Sequence, residues 1–145
     1  MYGHILVATD GSDLADRALD HAISIATALK SDLTIVTVSE PVSTGYYGDA
    51  GYIADPNELI EGQEKVAKGL LDKAGAKVKD AGLLVKTVHV KDSFPAEGIV
   101  ITAENLGTDL IVMGSHGRRG LGRLLLGSQT NNVLAQTKTP VLVTR

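Results

Sequence analysis

Five glycines fall within the fourteen residues from Gly114 to Gly127, in the run Gly114-Ser115-His116-Gly117-Arg118-Arg119-Gly120-Leu121-Gly122-Arg123-Leu124-Leu125-Leu126-Gly127-Ser128-Gln129-Thr130. Glycine admits positive φ and lets an anion approach main-chain N–H groups with no Cβ in the way. A helical pattern begins near Ser128. The first N–H groups of a helix have no internal acceptors, and its dipole favours an anion by about 0.3 to 1 kcal/mol, up to about 2 when partly buried. One helix end is too weak to hold a polyphosphate, so several N–H donors, the hydroxyls of Ser128 and Thr130 and a pocket for the rest of the ligand would have to act together. The same spacing also fits a plain glycine-rich connection in which Ser128 is only an N-cap. The run is not a Walker loop, which ends in Gly-Lys-Ser/Thr, and it is too late in the chain for a dinucleotide fingerprint, which would follow the first strand.

Such a loop needs a frame, and the frame is legible as short β-branched runs alternating with longer segments of helical period, the pattern of βαβ units. Strands are expected over His4 to Thr9, Leu33 to Val38, Leu84 to Val90, Leu110 to Met113 and Val141 to Thr144. Between the first two, Ala15, Ala18, Leu19, Ala22, Ile23, Ala26 and Leu29 recur every three or four residues and place one helical face on the sheet. Leu59, Gln63, Val66, Leu70, Ala74 and Val78 define a second amphipathic helix, which Gly82 is suited to end. A third runs from Pro95, fit for a first helical turn, to Leu106, and a fourth starts near Ser128. Ile5-Leu6-Val7, Leu110-Ile111-Val112 and Val141-Leu142-Val143 are unbroken apolar runs, as parallel strands covered on both faces must be. The expected fold is therefore α/β, a Rossmann-like, doubly wound, five-stranded parallel sheet of order 3-2-1-4-5 with helices on both faces. Its ligand crevice lies where the winding reverses, between strands one and four. The residues just past those strands, Asp10-Gly11-Ser12 and Gly114 onward, are the ones to read for function.

The composition sets limits. With 145 residues and 43% apolar content the chain is read as one domain, 1–145, able to bury a core unaided. There is no cysteine, so no disulfide, zinc cluster or thiol nucleophile is available. The opening residues lack the basic flank and long apolar run of a signal peptide, and no stretch approaches the roughly 20 apolar residues of a membrane span, so a cytoplasmic protein without membrane insertion is expected. A formal charge of −3 and aromatics limited to four tyrosines and one phenylalanine argue against a nucleic-acid surface. Three of the tyrosines, Tyr46, Tyr47 and Tyr52, lie in the irregular segment from Pro41 to Pro56, which reads as a surface loop or as a lid or partner contact.

The opening Ile5-Leu6-Val7-Ala8-Thr9-Asp10-Gly11-Ser12, the segment Asp109-Leu110-Ile111-Val112-Met113-Gly114-Ser115-His116-Gly117 and the closing Pro140-Val141-Leu142-Val143 together resemble the universal stress proteins. The resemblance covers the whole chain. The nucleotide-binding branch of that family carries Gly, two residues, Gly, nine residues, then Gly-Ser/Thr, and Gly114, Gly117 and Gly127-Ser128 fit that spacing without a gap. The resemblance implies ATP with Mg²⁺ bound at the crevice, a homodimer, and a stress-linked regulatory role with a protein partner of unidentified kind. It places the nucleotide against Ala8, Thr9, Asp10, Val38, Met113, Gly114, His116, Gly117, Arg118, Gly127, Ser128, Gln129 and Thr130. Asp10 would touch the ribose or the divalent cation; its other reading is an Asx turn at the start of helix one. Val38 would meet adenine through its main chain or be an ordinary strand end, and Met113 would line the pocket or belong to the core. His116 would donate a ring N–H to a phosphate or be merely solvated, and of Arg118, Arg119 and Arg123 at least two are expected to be solvated.

Two positions depart from the family, which often has proline at Ala8 and a small apolar residue at Gln129. Gln129 is tolerable if only its backbone N–H contributes; its side chain would matter if it pointed at the phosphates. Little or no hydrolysis is expected, because no Asp or Glu lies between Gly114 and Thr130 to act as a general base. An ATP-splitting nucleotidyl transferase is the alternative, but Thr9-Asp10-Gly11-Ser12-Asp13 has the wrong glycine count for its loop. A dimeric interaction protein without nucleotide is the third reading. The last strand is an edge with no charge, bulge or interior proline before Arg145, so Val141 to Thr144 are expected to pair with a second copy, unless a helix or loop covers them.

Overall fold

A computed structural model describes residues 1–43, 55–117 and 126–145. The elements in chain order are β1 (His4–Ala8), α1 (Asp13–Leu29), β2 (Asp32–Val38), α2 (Pro56–Asp80), β3 (Val85–Val90), α3 (Pro95–Leu106), β4 (Leu110–Gly114), α4 (Ser128–Gln136) and β5 (Val141–Thr144). All strands are parallel, in the order β3-β2-β1-β4-β5, as the alternation of runs predicts. Ile5, Leu6 and Val7 of the central strand are fully buried, and their pleat divides them between two cores. Ile5 and Val7 face α1 and α2 with Leu19, Leu33, Ile35 and Val78, whereas Leu6 joins Val36, Ile99, Ile111, Met113 and Val133 under α3 and α4.

The helix boundaries follow local chemistry. Ser12 caps α1 by accepting from the Ala15 N–H at 3.2 Å, Asp55 caps α2 ahead of Pro56, and Gly82 and Gly107, both at positive φ, close α2 and α3. The face of α2 differs from the sequence reading. Ala67, Leu71, Ala74, Gly75 and Val78 are buried, but Leu59 and Val66 are exposed. The cause is length: 25 residues of helix span about 37 Å, whereas the seven residues of β2 span about 23 Å. The N-terminal turns of α2 therefore overhang the sheet, and only its second half meets the strands. Three of the five residues on the sheet face, Ala67, Ala74 and Gly75, are small and give a weaker periodic signal than Leu59 and Val66 of the overhang.

Close packing on the other face uses a glycine. A Cβ on Gly98 of α3 would stand 2.9 and 3.0 Å from the two methyls of Val38 and 3.2 Å from one of Val90. Both neighbours are β-branched and stiff. Gly98→Val should therefore cost on the order of 2 kcal/mol through overpacking, while Gly69→Ala on the exposed side of α2, where a Cβ meets nothing within 4 Å, should gain about 0.5 to 1 kcal/mol. Urea denaturation of the two variants checks the pair; equal effects would contradict the packing described.

Candidate functional site

The chain leaves β1 for α1 on one face and β4 for α4 on the other, so the carboxyl ends of these neighbouring strands part and open a crevice. Each wall is fixed by local bonds. At the end of β1, the Thr9 N–H donates to Val36 O at 2.9 Å and the Thr37 hydroxyl donates to Thr9 O at 2.8 Å. Asp10 Oδ1 then accepts from the Ser12 N–H at 2.9 Å, the Asx turn anticipated as one reading of this residue. At the end of β4, Gly114 lets the first turn of α1 approach, since a Cβ there would lie 3.0 Å from that of Leu14.

The glycine-rich segment is clamped by one residue. Ser115, 2% exposed, donates its N–H to Thr144 O of β5 at 2.8 Å, and its carbonyl accepts from the Gly127 N–H at 2.7 Å. The Thr130 hydroxyl donates to the Gly114 and Ser115 carbonyls at 3.0 and 3.1 Å. A Cβ on Gly127 would sit 3.1 Å from Ser115 O and 3.3 Å from His116 Cα, and one on Gly117 would sit 2.8 Å from Asp10 Oδ2. A side chain at 117 would thus collide with the Asp10 carboxylate, and one at 127 with the main chain of Ser115 and His116.

These residues surround a cavity of about 370 Å³. Ala8, Thr9, Asp10, Val38, Met113, Gly114, His116, Gly117, Gly127, Ser128, Gln129 and Thr130 all line it, so the structure brings together every described residue singled out from the sequence. Arg118, like Arg119, Arg123 and the three tyrosines, lies outside the described residues. Met113 fills both of its readings, in the core under α3 and α4 and on the cavity wall. Ser128 is not the N-cap of α4: Gly127 is, without a side-chain bond, and Ser128 is the first helical residue. The N–H groups of Ser128, Gln129 and Thr130 therefore open the helix without intrahelical acceptors. Gln129 turns its side chain aside, its Oε1 accepting from the Ala96 N–H at 3.3 Å. Val36 faces β1 through its carbonyl, so two residues on Val38 also directs its N–H and C=O to that side, beyond the point where β1 has ended.

The sequence reading missed Pro95 and Ile99, one turn apart at the start of α3, Glu40 past β2, and Ala15 and Val36, which complete the wall. In a parallel sheet every strand delivers its following segment to the same edge, so the β3 to α3 connection could have been included on that ground. Glu40 also borders a second cavity of about 360 Å³ with Gln63, Glu64, His89 and Lys91. There Lys91 pairs with Glu64 and holds its carboxyl below the usual range, and burial, with the charge of Lys91, lowers the His89 imidazole. Among the described residues no cluster of three or more His, Cys, Asp or Glu is placed to hold a metal, and no helix is long and apolar enough to cross a membrane.

A doubly wound parallel sheet with a glycine-lined cleft at its switch point defines the class: an α/β domain whose cleft lies at the carboxyl edge of its strands. The chain belongs to the universal stress protein family, whose profile matches residues 1–145. It is 33% identical to a universal stress protein of Methanocaldococcus jannaschii over all of this chain and 96% of the relative. A solved universal stress protein of Lactobacillus plantarum superposes with a TM-score of 0.83 at 29% identity, covering 99% of this chain and 98% of that one. Another, solved in complex with cAMP, superposes with a TM-score of 0.72 at 29% identity, covering 99% and 97%. One relative of this chain thus holds a cyclic nucleotide.

Thr130 ties α4 to the end of β4, and both of its acceptors are main-chain carbonyls. Thr130→Val keeps the shape and removes the donor, so it should lower stability by about 1 to 3 kcal/mol, whereas Thr130→Ser should stay near wild type. Thermal melts of the two variants check this.

Proposed function

We propose that this universal stress protein domain binds ATP with Mg²⁺ in the β1/β4 cleft and acts as a nucleotide-responsive regulatory module of a stress response, with little or no hydrolysis. The observation that carries the reading is the start of α4. Three N–H groups without intrahelical acceptors and a glycine N-cap, all on the cavity wall, offer donors to phosphate oxygens. The outward N–H and C=O of Val38 offer a main-chain donor and acceptor to adenine. Asp10 is suited to a ribose hydroxyl or to the cation. A Mg²⁺ there would take most of its ligands from phosphates and water, as this ion commonly does. Segment 114–130 contains no carboxylate, which favours binding over turnover. Cyclic AMP is the second candidate, favoured by the relative that holds it.

ATP with Mg²⁺ should raise the melting temperature, the stabilisation following RT ln(1 + [L]/Kd), or about 2.7 kcal/mol at a hundredfold excess over Kd. GTP should do less, because adenine is read by the main chain at Val38. Gly127→Val should abolish the ATP shift while the protein still folds. Absence of any shift at millimolar ATP with the wild type would refute the reading, and a larger shift with cAMP would favour the second candidate.

The same module is proposed to work as a homodimer and to signal through a protein partner. β5 is a sheet edge whose Val141, Leu142 and Val143 are half-exposed and uncharged, unlike edge strand β3 with Lys86. Antiparallel pairing of two β5 strands would continue the sheet across both copies. Sedimentation should give about twice the 15.2 kDa of one chain, and Leu142→Pro, which removes a ladder donor, should yield monomers. A wild-type mass of one chain would refute the dimer.

A further inference from the structure

Among the described residues, two buried side-chain polar atoms have no hydrogen-bond partner: Thr108 Oγ1 and His116 Nε2. The second belongs to a residue that lines the cleft. Its other ring nitrogen, Nδ1, lies 3.0 Å from the hydroxyl of Ser115. That contact decides where the imidazole proton resides. If Nδ1 carried it and donated to Ser115 Oγ, the serine proton would be buried without an acceptor and Nε2 would lack a donor, leaving two unmet groups. An imidazolium would also strand the serine proton and would add a charge. If instead the serine hydroxyl donates to Nδ1, the ring proton sits on Nε2 and only that N–H is unmet. Buried polar groups are rarely left unpaired, so the arrangement with one orphan is preferred over those with two.

We infer that Ser115 is a positioning residue that holds His116 as the Nε2–H tautomer, so that this N–H meets an anionic phosphate oxygen of the ligand at the start of α4. The ring carbon bonded to Nε2, Cδ2, lies 3.8 Å from the place of a Cβ on Gly127. Ser115 can hold the ring steadily because three other elements hold Ser115: β5 through Thr144, the loop end through Gly127, and α4 through Thr130. Because Nε2 is shut away from water, a ligand oxygen reaches it only when what covers the ring moves, and the charged oxygen that then replaces that cover gains a strong, directional bond. The ligand class, a phosphate-bearing one, rests on the nucleotide reading above, whereas the tautomer does not.

The test is a long-range ¹H–¹⁵N spectrum of the histidine rings, recorded above pH 7.5 on the ligand-free protein and again with ATP and Mg²⁺. His116 is expected as the Nε2–H form, and addition of ATP with Mg²⁺ should move its Nε2 resonance. Ser115→Ala keeps the main-chain bonds at this position, so the fold should persist while the single tautomer is lost. His116→Phe should weaken ATP binding by about tenfold, the lower end for a hydrogen bond to a charged group, and His116→Gln, which still offers an N–H, should recover most of it. A proton on Nδ1 in the wild type, an unchanged tautomer in Ser115→Ala, or undiminished affinity in His116→Phe would each overturn the inference. No response to ATP anywhere in the cleft would instead overturn the nucleotide reading and the proposed target of the donor, leaving the assignment of Ser115 to stand or fall on the ligand-free spectrum.

Discussion

The 2.7 Å bond from the Gly127 N–H to the Ser115 carbonyl joins two points twelve residues apart in the chain, and the cleft depends on it. Closing a loop of that length costs entropy that one bond alone does not recover. The closure persists because Ser115 is itself held by β5 and because Thr130, three residues into α4, adds a second tie to the same carbonyl and to that of Gly114. The start of α4 is thereby fixed against the end of β4. Without that fixation the three N–H groups of its first turn would face solvent rather than converge on a cavity.

The same constraint explains where small residues stand. Gly114 lets α1 come close to the end of β4, and Gly127 lets the returning chain pass against Ser115 and His116. On the far side of the cleft, Gly98 brings α3 onto Val38 and Val90, which carries Pro95 and Ile99 up to the cavity wall. Gln129 then ties the two helices across the gap through the Ala96 N–H. That bond resolves the departure from the family pattern at this position: the longer side chain serves helix α3, and its own main-chain N–H is left to the cleft.

The strands and the place of the cleft were legible because burial on both faces writes itself as unbroken apolar runs, and because a doubly wound order leaves one switch point. The glycine spacing was legible for a similar reason, since close approach admits no other side chain. What escaped the sequence depends on partners distant in the chain. The face of α2 was misplaced because Leu59 and Val66 lie on the overhang, while small residues, Ala67, Ala74 and Gly75, join Leu71 and Val78 on the sheet. The engagement of Thr130 with Gly114 and Ser115, and of Gln129 with Ala96, has no periodic or compositional signal. Ser115 looked like one serine among several in a loop, and its role emerges only when its four bonding partners are seen together.

The β1/β4 cleft, built around the Ser115 clamp, is the proposed seat of the nucleotide. Titration of ¹⁵N-labelled protein with ATP and Mg²⁺, followed by amide chemical shifts, tests it most directly. The amides of Gly117, Gly127, Ser128 and Gln129 should move together with that of Val38, along one saturating curve. Shifts confined to the second cavity, at Gln63, Glu64, His89 and Lys91, or no shifts at all at millimolar ATP, would contradict it.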